Sequence, residues 1–179
     1  GLHSGTTTSI IINPARANHG IVFKKNETEI PASVDYVSST KRGTTLSKDN
    51  ISIQTVEHLL SALKGLGIDN ALIQVDGEEI PAMDGSAAKF VQAIAQAGIE
   101  TLGVARPRWK CNAQKPFVFT LGNSSYKLLP SDHLNLSVSI SYPNTPIGIQ
   151  EAGFSDTENY AESIAKARTF CLESELAMI

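Results

Sequence analysis

The sequence contains very little cysteine, and this scarcity excludes several classes of protein. Its 179 residues include two cysteines, Cys111 and Cys171, which lie sixty positions apart and outside any Cys-x-x-Cys pair. No disulfide framework is therefore encoded. Because free thiols persist where the environment is reducing, we expect a cytoplasmic protein.

Long apolar runs and an excess of basic charge are also missing. No apolar stretch is long enough to span a bilayer, and no charged segment followed by an apolar one opens the chain. The formal net charge of -3 argues against a broad nucleic-acid-binding surface. The apolar fraction of 41% and the charged fraction of 18% are typical of a globular protein of one domain, or two small ones, with a sizeable core.

Neither end of the sequence carries the features of a natural terminus. The chain begins at Gly1 rather than at a methionine, and it ends on the apolar run 176–179 with no capping or turn residue after it. We therefore expect a fragment that is cut at both ends.

Residues 1–102 show several predicted strands followed by a helix, a strand and a second helix. β-Branched and alternating segments predict the strands, and apolar residues at helical spacing predict the helices. This order predicts an α+β domain, a sheet with helices packed on one face. The predicted strands cover residues 7–13, 21–25, 33–37 and 71–75, with an extended piece at 41–46; the first helix covers 55–64, and the second buries Phe90, Val91 and Ile94 and ends at Gly98.

A second α+β domain is predicted at residues 109–179, after a linker at 103–108. Gly122-Asn123 is a hairpin signal between two short apolar strands. Strict alternation predicts a half-buried strand at 134–142 with a loop after it. The predicted hairpin strands cover 117–121 and 125–129, and the predicted loop covers 143–151.

The last element predicted for this domain is a helix. Ser155-x-x-Glu158 is typical of a capping box at a helix N-terminus. Tyr160, Ile164 and Ala167 would share one face of the helix that follows. Because the chain ends soon after it, we expect the second domain to be incomplete.

The adjacent residues Glu57 and His58 form the most informative pattern in the chain. Apolar residues at i, i+3, i+4 and i+7 from Val56 form a helical core stripe, and His58 lies opposite that stripe with Glu57 beside it. The small residues Ser61 and Ala62 complete this outer face. A carboxylate beside an imidazole suits a general base and a metal ligand, whereas a solvated helix face with a carboxylate near the N-terminus is the alternative.

Five motifs occur in this order and together resemble one family. They are Gly1-Leu-His-Ser-Gly5, Thr55-Val-Glu-His-Leu-Leu-Ser-Ala-Leu63, Gly67-Ile-Asp-Asn70, Glu79-Ile-Pro-Ala-Met-Asp-Gly-Ser-Ala87 and Ala167-Arg-Thr-Phe170. The chain resembles the UDP-3-O-acyl-N-acetylglucosamine deacetylases of lipid A biosynthesis over nearly its whole length. The resemblance implies a sandwich of two α+β domains packed face to face, with the site in the cleft between them.

The resemblance also implies a zinc-dependent amide hydrolase with assigned residues. His58 matches a zinc ligand, and Glu57 matches the general base that deprotonates the zinc-bound water. Thr169 matches the hydroxyl group that helps to hold the developing oxyanion, and Phe170 matches a residue of the apolar passage for the acyl chain. Without the resemblance, Thr169 would be interpreted as a turn or capping residue and Phe170 as part of the core.

Other residues of these motifs receive structural interpretations or none. Lys41, Arg42 and Gly43 fall where the family has a loop at the mouth of the passage, and we assign them no role. Helix capping is the expected role of Asp84 or Ser86. A positive φ is expected at Gly85, and His3 is interpreted as structural, while His19 and His133 match no catalytic position.

The chain departs from the family in its metal ligands. The family completes its zinc site with a His-x-x-x-Asp pair and supplies its acid from a later histidine, and the sequence contains neither. After His58 the next histidine is His133, and Ser137 stands four positions beyond it. Because catalytic zinc normally has three protein ligands, we expect these 179 residues to be inactive alone. Cys171 stands where the family commonly has glycine. We interpret it as a small buried hydrophobe, with a fourth metal ligand as the alternative.

Two functions remain open at this point. The first is a piece of a monomeric deacetylase that acts on a UDP-linked, acylated amino sugar, with zinc as its cofactor. The second is a non-catalytic relative that naturally ends early and binds a nucleotide sugar or an acyl group. Retention of both Glu57 and His58 favours the enzyme.

Overall fold

The structure, a computed structural model, describes residues 1–107 and 114–178. It divides into two units, one made of Gly1–Arg106 together with Tyr160–Ile179 and the other of Pro107–Asn159. The predicted start of the second domain at residue 109, Cys111 and the final residue of the chain lie outside the described residues.

Seven strands and two helices form the first unit, as the α+β prediction requires. Ala71, Ile73 and Val75 alternate inwards along one strand and are buried, as are Phe23 of the neighbouring strand and Ile30 of the strand beyond it. The strands are β1 (Ser9–Pro14), β2 (Ile21–Lys25), β3 (Thr28–Pro31), β4 (Val37–Ser39), β5 (Thr45–Lys48), β6 (Ile51–Ile53) and β7 (Ala71–Asp76).

The strands of this unit form two sheets. The larger sheet has the order β1-β7-β2-β3, in which β2 and β7 are parallel and the other pairs are antiparallel. The smaller sheet is antiparallel and has the order β4-β5-β6. An isolated bridge between Gln54 and Glu79 follows β6 and brings the start of the first helix beside the segment after β7.

Two helices, α1 (Glu57–Gly65) and α2 (Ala88–Ala97), contact each other. In α2 the predicted stripe is buried, and Gly98 ends the helix with φ 88°, as expected. The N-cap of α2 is Ala87, which makes no side-chain capping bond, so neither Asp84 nor Ser86 occupies that position. One residue earlier, Ser86 Oγ nevertheless accepts a hydrogen bond from the backbone N–H of Ala88, the first residue of the helix, at 3.1 Å. Asp84 supports this bond by accepting the Ser86 hydroxyl group at 2.7 Å.

One predicted strand in this unit is wrong. Residues 33–37 contain a 3-10 helix, Val34–Tyr36, between β3 and β4. Ser33 Oγ accepts from the backbone N–H of Asp35 at 3.4 Å and donates to the Asp35 carboxylate at 3.1 Å. Such local side-chain bonds compete with strand pairing, and the β-branched residues alone did not reveal them.

In the described part of the second unit the strands form two antiparallel hairpins. The predicted strands flanking Gly122 pair as expected, whereas the predicted loop at 143–151 is partly wrong because a strand begins at Gly148 and pairs with its predecessor. The strands are β8 (Phe117–Leu121), β9 (Ser124–Leu128), β10 (Asn135–Tyr142) and β11 (Gly148–Ser155). The expectation of a half-buried face on β10 is also wrong, since Leu136 and Val138 are 50% and 56% exposed.

The helix predicted after the capping box is replaced by a single 3-10 turn, Ile164–Lys166. Half of the box forms, because Glu158 accepts the backbone N–H of Ser155 at 3.1 Å. The hydroxyl group of Ser155 bonds to Thr157 instead of completing the cap. The sequence pattern therefore forms one of its two local bonds. The structure of the residues after it is determined by their contacts with α1.

The segment Tyr160–Ile179 belongs to the first compact unit, whereas the sequence predicts 109–179 as one domain. The division at a linker of residues 103–108 stays a prediction. Among the helices that the structure describes, none is long and apolar enough to cross a membrane.

Candidate functional site

The candidate site is built on the first turn of α1. Val56, Leu59 and Leu63 are fully or almost fully buried, so the predicted stripe fixes the rotation of the helix. Glu57 and His58 are half-buried on the other side. Ala62 is completely buried, which contradicts its placement on a solvated outer face. Ala62 is therefore not part of an exposed face, whereas Glu57, His58 and Ser61 are partly exposed.

The carboxylate of Glu57 is held by the backbone of a neighbouring loop. Its Oε2 accepts the backbone N–H of Thr44 at 2.9 Å. A Cβ added at Gly43 would lie 3.2 Å from Oε1, so the loop approaches the carboxylate closely. Within the described part of the chain, Oε1 accepts no hydrogen bond. One oxygen is thus fixed while the other is available for a proton.

His58 follows Glu57, and its imidazole makes no hydrogen bond or ion pair within the described residues. Over 1–107 and 114–178, no group of three or more His, Cys, Asp and Glu side chains is arranged to hold a metal ion. His58 supplies one imidazole, whereas a catalytic zinc normally has three protein ligands. The described residues therefore do not by themselves fit a complete zinc site.

Thr55 comes two residues before Glu57 and has an unusual backbone conformation. Its φ of 59° lies in the left-handed region, which β-branched residues rarely adopt. The residue is buried, and its hydroxyl group donates to Oε1 of Glu79 at 3.0 Å. Such strain persists only where the surroundings fix it, and it is common near functional sites.

Glu79 is a completely buried carboxylate that accepts several hydrogen bonds. The backbone N–H groups of Leu2, His3 and Ser4 reach it at 2.9, 3.0 and 3.1 Å, in addition to the Thr55 hydroxyl group. Burial raises the pKa of Glu79, but the bonds from Ser4, Thr55, His3 and Leu2 outweigh burial and hold its pKa below 4.5. The group is therefore a fixed negative charge at neutral pH.

A small cavity of about 110 Å³ lies between the loop beside Glu57 and the segment that Glu79 holds. The C-terminal segment of the first unit reaches the same loop, since Arg42 and Glu175 form an ion pair at 3.4 Å. The cavity is lined by His3, Lys41, Arg42, Gly43, Thr45, Gln54 and Thr55. The loop that begins at Lys41, to which the sequence analysis assigns no role, therefore lines this cavity and also contacts the candidate base Glu57 through Thr44.

The outer face of α1 is covered by Tyr160. Its hydroxyl group lies 2.6 Å from that of Ser61, and a Cβ added at Gly65 would collide with its ring. Burial raises the pKa of Tyr160, and the bond with Ser61 partly opposes that rise. Tyr160 therefore fixes the start of the segment that leads to Thr169.

Thr169 and Phe170 lie on this segment, in the same unit as α1. The backbone N–H of Thr169 donates to the carbonyl group of Gly85 at 2.8 Å. Gly85 has φ 81°, which confirms the expected positive value. Within the described residues no hydrogen bond joins Thr169 to Glu57 or His58. Phe170 is 52% exposed and is not a core residue.

The remaining candidates have simple surroundings. Cys171 is free and exposed, so its interpretation as a small buried hydrophobe is wrong. His19 contacts the carbonyl group of Gly20, and His133 pairs with Asp156 at 3.5 Å on the surface of the second unit.

Two features of the site gave little signal in the sequence. Glu79 belongs to a recognisable motif, but an acidic residue after a strand is ordinarily interpreted as solvated. Nothing in the residue type of Thr55 indicates a left-handed backbone, because β-branched residues are the least suited to it. The backbone contact of Glu57 with the loop likewise carries no side-chain signature.

Comparison with protein families gives one match over the whole chain. Residues 1–179 match the family model described as "LpxC: UDP-3-O-acyl N-acetylglycosamine deacetylase". The match therefore includes every candidate residue described above.

Individual relatives are similar over almost the whole chain. It is 38% identical over 180 residues to the bifunctional enzyme LpxC/FabZ of Bacteroides thetaiotaomicron, covering 98% of this chain and 39% of that protein. It is 36% identical over 184 residues to the UDP-3-O-acyl-N-acetylglucosamine deacetylase of Geobacter sp. (strain M21), covering 100% of this chain and 60% of that protein. The corresponding Chlamydia pneumoniae enzyme is 37% identical over 190 residues, and 65% of it is covered. The chain thus spans less than two thirds of each relative.

Proposed function

The chain belongs to the UDP-3-O-acyl-N-acetylglucosamine deacetylase family, and from this premise we propose that the full-length protein removes the acetyl group from a UDP-linked, 3-O-acylated N-acetylglucosamine in lipid A biosynthesis. The observation that carries the proposal is the carboxylate of Glu57, with one oxygen bound by Thr44 and the other available. A carboxylate fixed in this way can act as a general base without first being reoriented.

In the proposed reaction Glu57 takes a proton from water as the oxygen of that water adds to the acetamide carbonyl carbon. The carbon–nitrogen bond then breaks as that proton is delivered to the leaving nitrogen, which gives acetic acid and a free amine; at neutral pH these become acetate and an ammonium group. Thr169 would donate its hydroxyl hydrogen to the oxygen on which negative charge develops. Its anchoring to Gly85 supports this role, because a fixed donor needs little reorganisation. Phe170, half-exposed beside it, would contact the acyl chain.

We propose that His58 is one ligand of a zinc ion in the full-length protein. The unpaired, half-buried imidazole supports this role, and the other ligands would lie outside this chain. The described residues supply only this one ligand. For the same reason we propose that these 179 residues are inactive alone.

We also propose a cytoplasmic, monomeric enzyme. The free thiol of Cys171 supports a reducing compartment. A nucleotide-activated sugar is the proposed small-molecule partner.

The proposal is tested with the full-length protein and a substrate labelled in its acetyl group. We expect acetate release by the wild type and a fall in kcat of about 100-fold or more in Glu57→Gln. Thr169→Val should lower kcat about 100-fold, and Thr169→Ser should retain most of it. Elemental analysis should find zinc rather than iron, and less of it in His58→Ala.

Matched controls are Glu100→Gln and His133→Ala, which alter an exposed carboxylate and a surface imidazole of the same types. Both should keep wild-type activity and metal content. A wild type that binds the UDP sugar without releasing acetate would contradict the proposal and support the non-catalytic relative.

A further inference from the structure

Glu79 is the most deeply buried charged group among the described residues, and the proposed reaction does not use it. Its side chain is 0% exposed, yet its carboxylate accepts hydrogen bonds from three backbone N–H groups and one hydroxyl group. Three successive N–H groups directed at one anion form a nest-like arrangement. A charge buried in this way is strongly stabilised by its donors and very costly if they are lost.

The carboxylate joins two segments that are distant in sequence. On one side it binds residues 2–4, and a Cβ added at Gly1 would collide with it, so this loop wraps closely around the charge. On the other side it binds the hydroxyl group of Thr55 at 3.0 Å. Both His3 and Thr55 line the cavity beside the candidate base.

Thr55 is held in a conformation that its side chain disfavours. A left-handed backbone is unfavourable for a non-glycine residue, and branching at Cβ adds to the crowding. The hydrogen bond from the Thr55 hydroxyl group to the Glu79 carboxylate stabilises this conformation. Without that bond, we expect the φ angle of Thr55 to move out of the left-handed region.

The start of α1 transmits the conformation of Thr55 to Glu57. The backbone N–H of Val56 donates to the carbonyl group of Thr44 at 3.3 Å, and the N–H of Thr44 donates to Glu57 Oε2 at 2.9 Å. The loop and the helix start are thus cross-linked at two consecutive positions. A change in φ at Thr55 would shift Val56 and with it the partner of the Glu57 carboxylate.

We propose that Glu79 is a positioning residue: by holding Thr55 in its left-handed conformation and residues 2–4 beside it, Glu79 fixes the orientation of the Glu57 carboxylate. The inference rests on the proposed function insofar as Glu57 is the base. If Glu79 only stabilised the fold, its variants would unfold at a lower temperature, but the folded molecules would keep the wild-type kcat and the wild-type local exchange at Thr44.

The first experiment measures amide hydrogen exchange in the full-length protein, and it does not require activity. Thr55→Val removes the hydroxyl donor and keeps the side-chain shape, whereas Thr55→Ser keeps the donor. We expect the Thr44 amide to exchange at least about tenfold faster in Thr55→Val and Glu79→Gln, with Thr55→Ser close to the wild type. The amide of Ile73, a completely buried residue of the central strand β7, reports global stability. We expect the exchange of Thr44 to rise by a larger factor than that of Ile73.

The second experiment measures kcat and KM in the same variants. We expect kcat to fall about tenfold or more in Thr55→Val with KM within about twofold, and Thr55→Ser to restore it. Glu100→Gln serves as the carboxylate control. Glu79→Gln is the stronger variant, and the Thr55 pair decides the matter if that variant does not fold.

An unchanged Thr44 amide in Thr55→Val, or Thr44 and Ile73 amides whose exchange rises by the same factor, would overturn the positioning role. Unchanged kcat in an active enzyme would overturn it as well. If the wild type releases no acetate, the proposed function fails, while the exchange of Thr44 still decides whether Glu79 positions Glu57.

Discussion

The hydroxyl groups of Tyr160 and Ser61 lie 2.6 Å apart although the two residues are separated by 99 positions in the chain. Ser61 is on the face of α1 that the sequence assigns to an open site lined by small side chains. Tyr160 closes part of that face and is itself buried. The helix that carries Glu57 and His58 is therefore packed on two sides, which restricts its movement.

Removal of the Tyr160 hydroxyl group should destabilise the protein measurably. In Tyr160→Phe the ring stays in place and Ser61 loses a partner, so we expect the free energy of unfolding to fall by about 1 kcal/mol. Urea titration of the full-length protein measures this change. Tyr126→Phe, in an exposed ring of the second unit, is the control and should change stability little. Equal stability of both variants would show that the bond contributes nothing.

Substitution of Gly65 should reveal the contact with the Tyr160 ring. Alanine normally favours a helix over glycine by about 1 kcal/mol, but here its Cβ would collide with the ring, so Gly65→Ala should destabilise. In a Tyr160→Ala background the same change should stabilise the protein. Gly67, which has φ 72° and open space around it, is the control, because Gly67→Ala should destabilise in both backgrounds. Additive effects at Gly65 would contradict the contact.

The sequence predicted the site helix better than it predicted what surrounds it. The period of the apolar residues located α1 and its buried face, and Gly98 and Gly122 marked a helix end and a hairpin, because these signals are local. Motif resemblance identified Thr169, whose backbone anchor at Gly85 is a tertiary contact. The burial of Ala62 depends on segments that pack against α1, so the sequence of the helix alone does not predict it.

Two failures have the same physical origin. The strand predicted around Ser33 and the helix predicted after Ser155 each contain a genuine local pattern that other bonds override. Ser33 binds Asp35 and forms a 3-10 turn. Tyr160 instead packs against α1, where its hydroxyl group bonds to Ser61. Local propensity decides only where no competing side-chain or tertiary contact is available.

Stability should fall at acidic pH through Glu79. Because its pKa in the folded protein is below 4.5, its stabilising contribution is fully present above pH 4.5 and is lost as the pH falls below that value through the lower, folded-state pKa. Glu79→Gln should be less stable at neutral pH but show a flatter loss of stability on acidification. Thermal unfolding from pH 7 downwards measures both. Thr55→Val, which keeps the carboxylate but removes one donor, should give an intermediate slope; identical slopes in all three would contradict the assignment.

Gly43 should be sensitive to the addition of one methyl group. A Cβ there would lie 3.2 Å from Oε1 of Glu57 and would displace the oxygen that we propose accepts the proton. We expect kcat for acetate release by full-length Gly43→Ala to fall about tenfold with little change in stability. Gly153→Ala is the control, because its Cβ would lie at an ordinary 3.5 Å from the Leu136 carbonyl oxygen. Wild-type activity in Gly43→Ala would show that the oxygen has room to move.

The return of the chain at Tyr160 has a consequence for how the site assembles during folding. Glu57 and His58 lie on a helix within Gly1–Arg106, whereas Thr169 joins the same unit only after the excursion Pro107–Asn159. Closing a longer loop has an entropic cost that grows slowly with its length, and such non-local contacts tend to form late. We therefore expect the proposed base and metal ligand to take their places before the proposed oxyanion donor. A nascent chain that has not yet closed this loop would carry the base without its partner hydroxyl group.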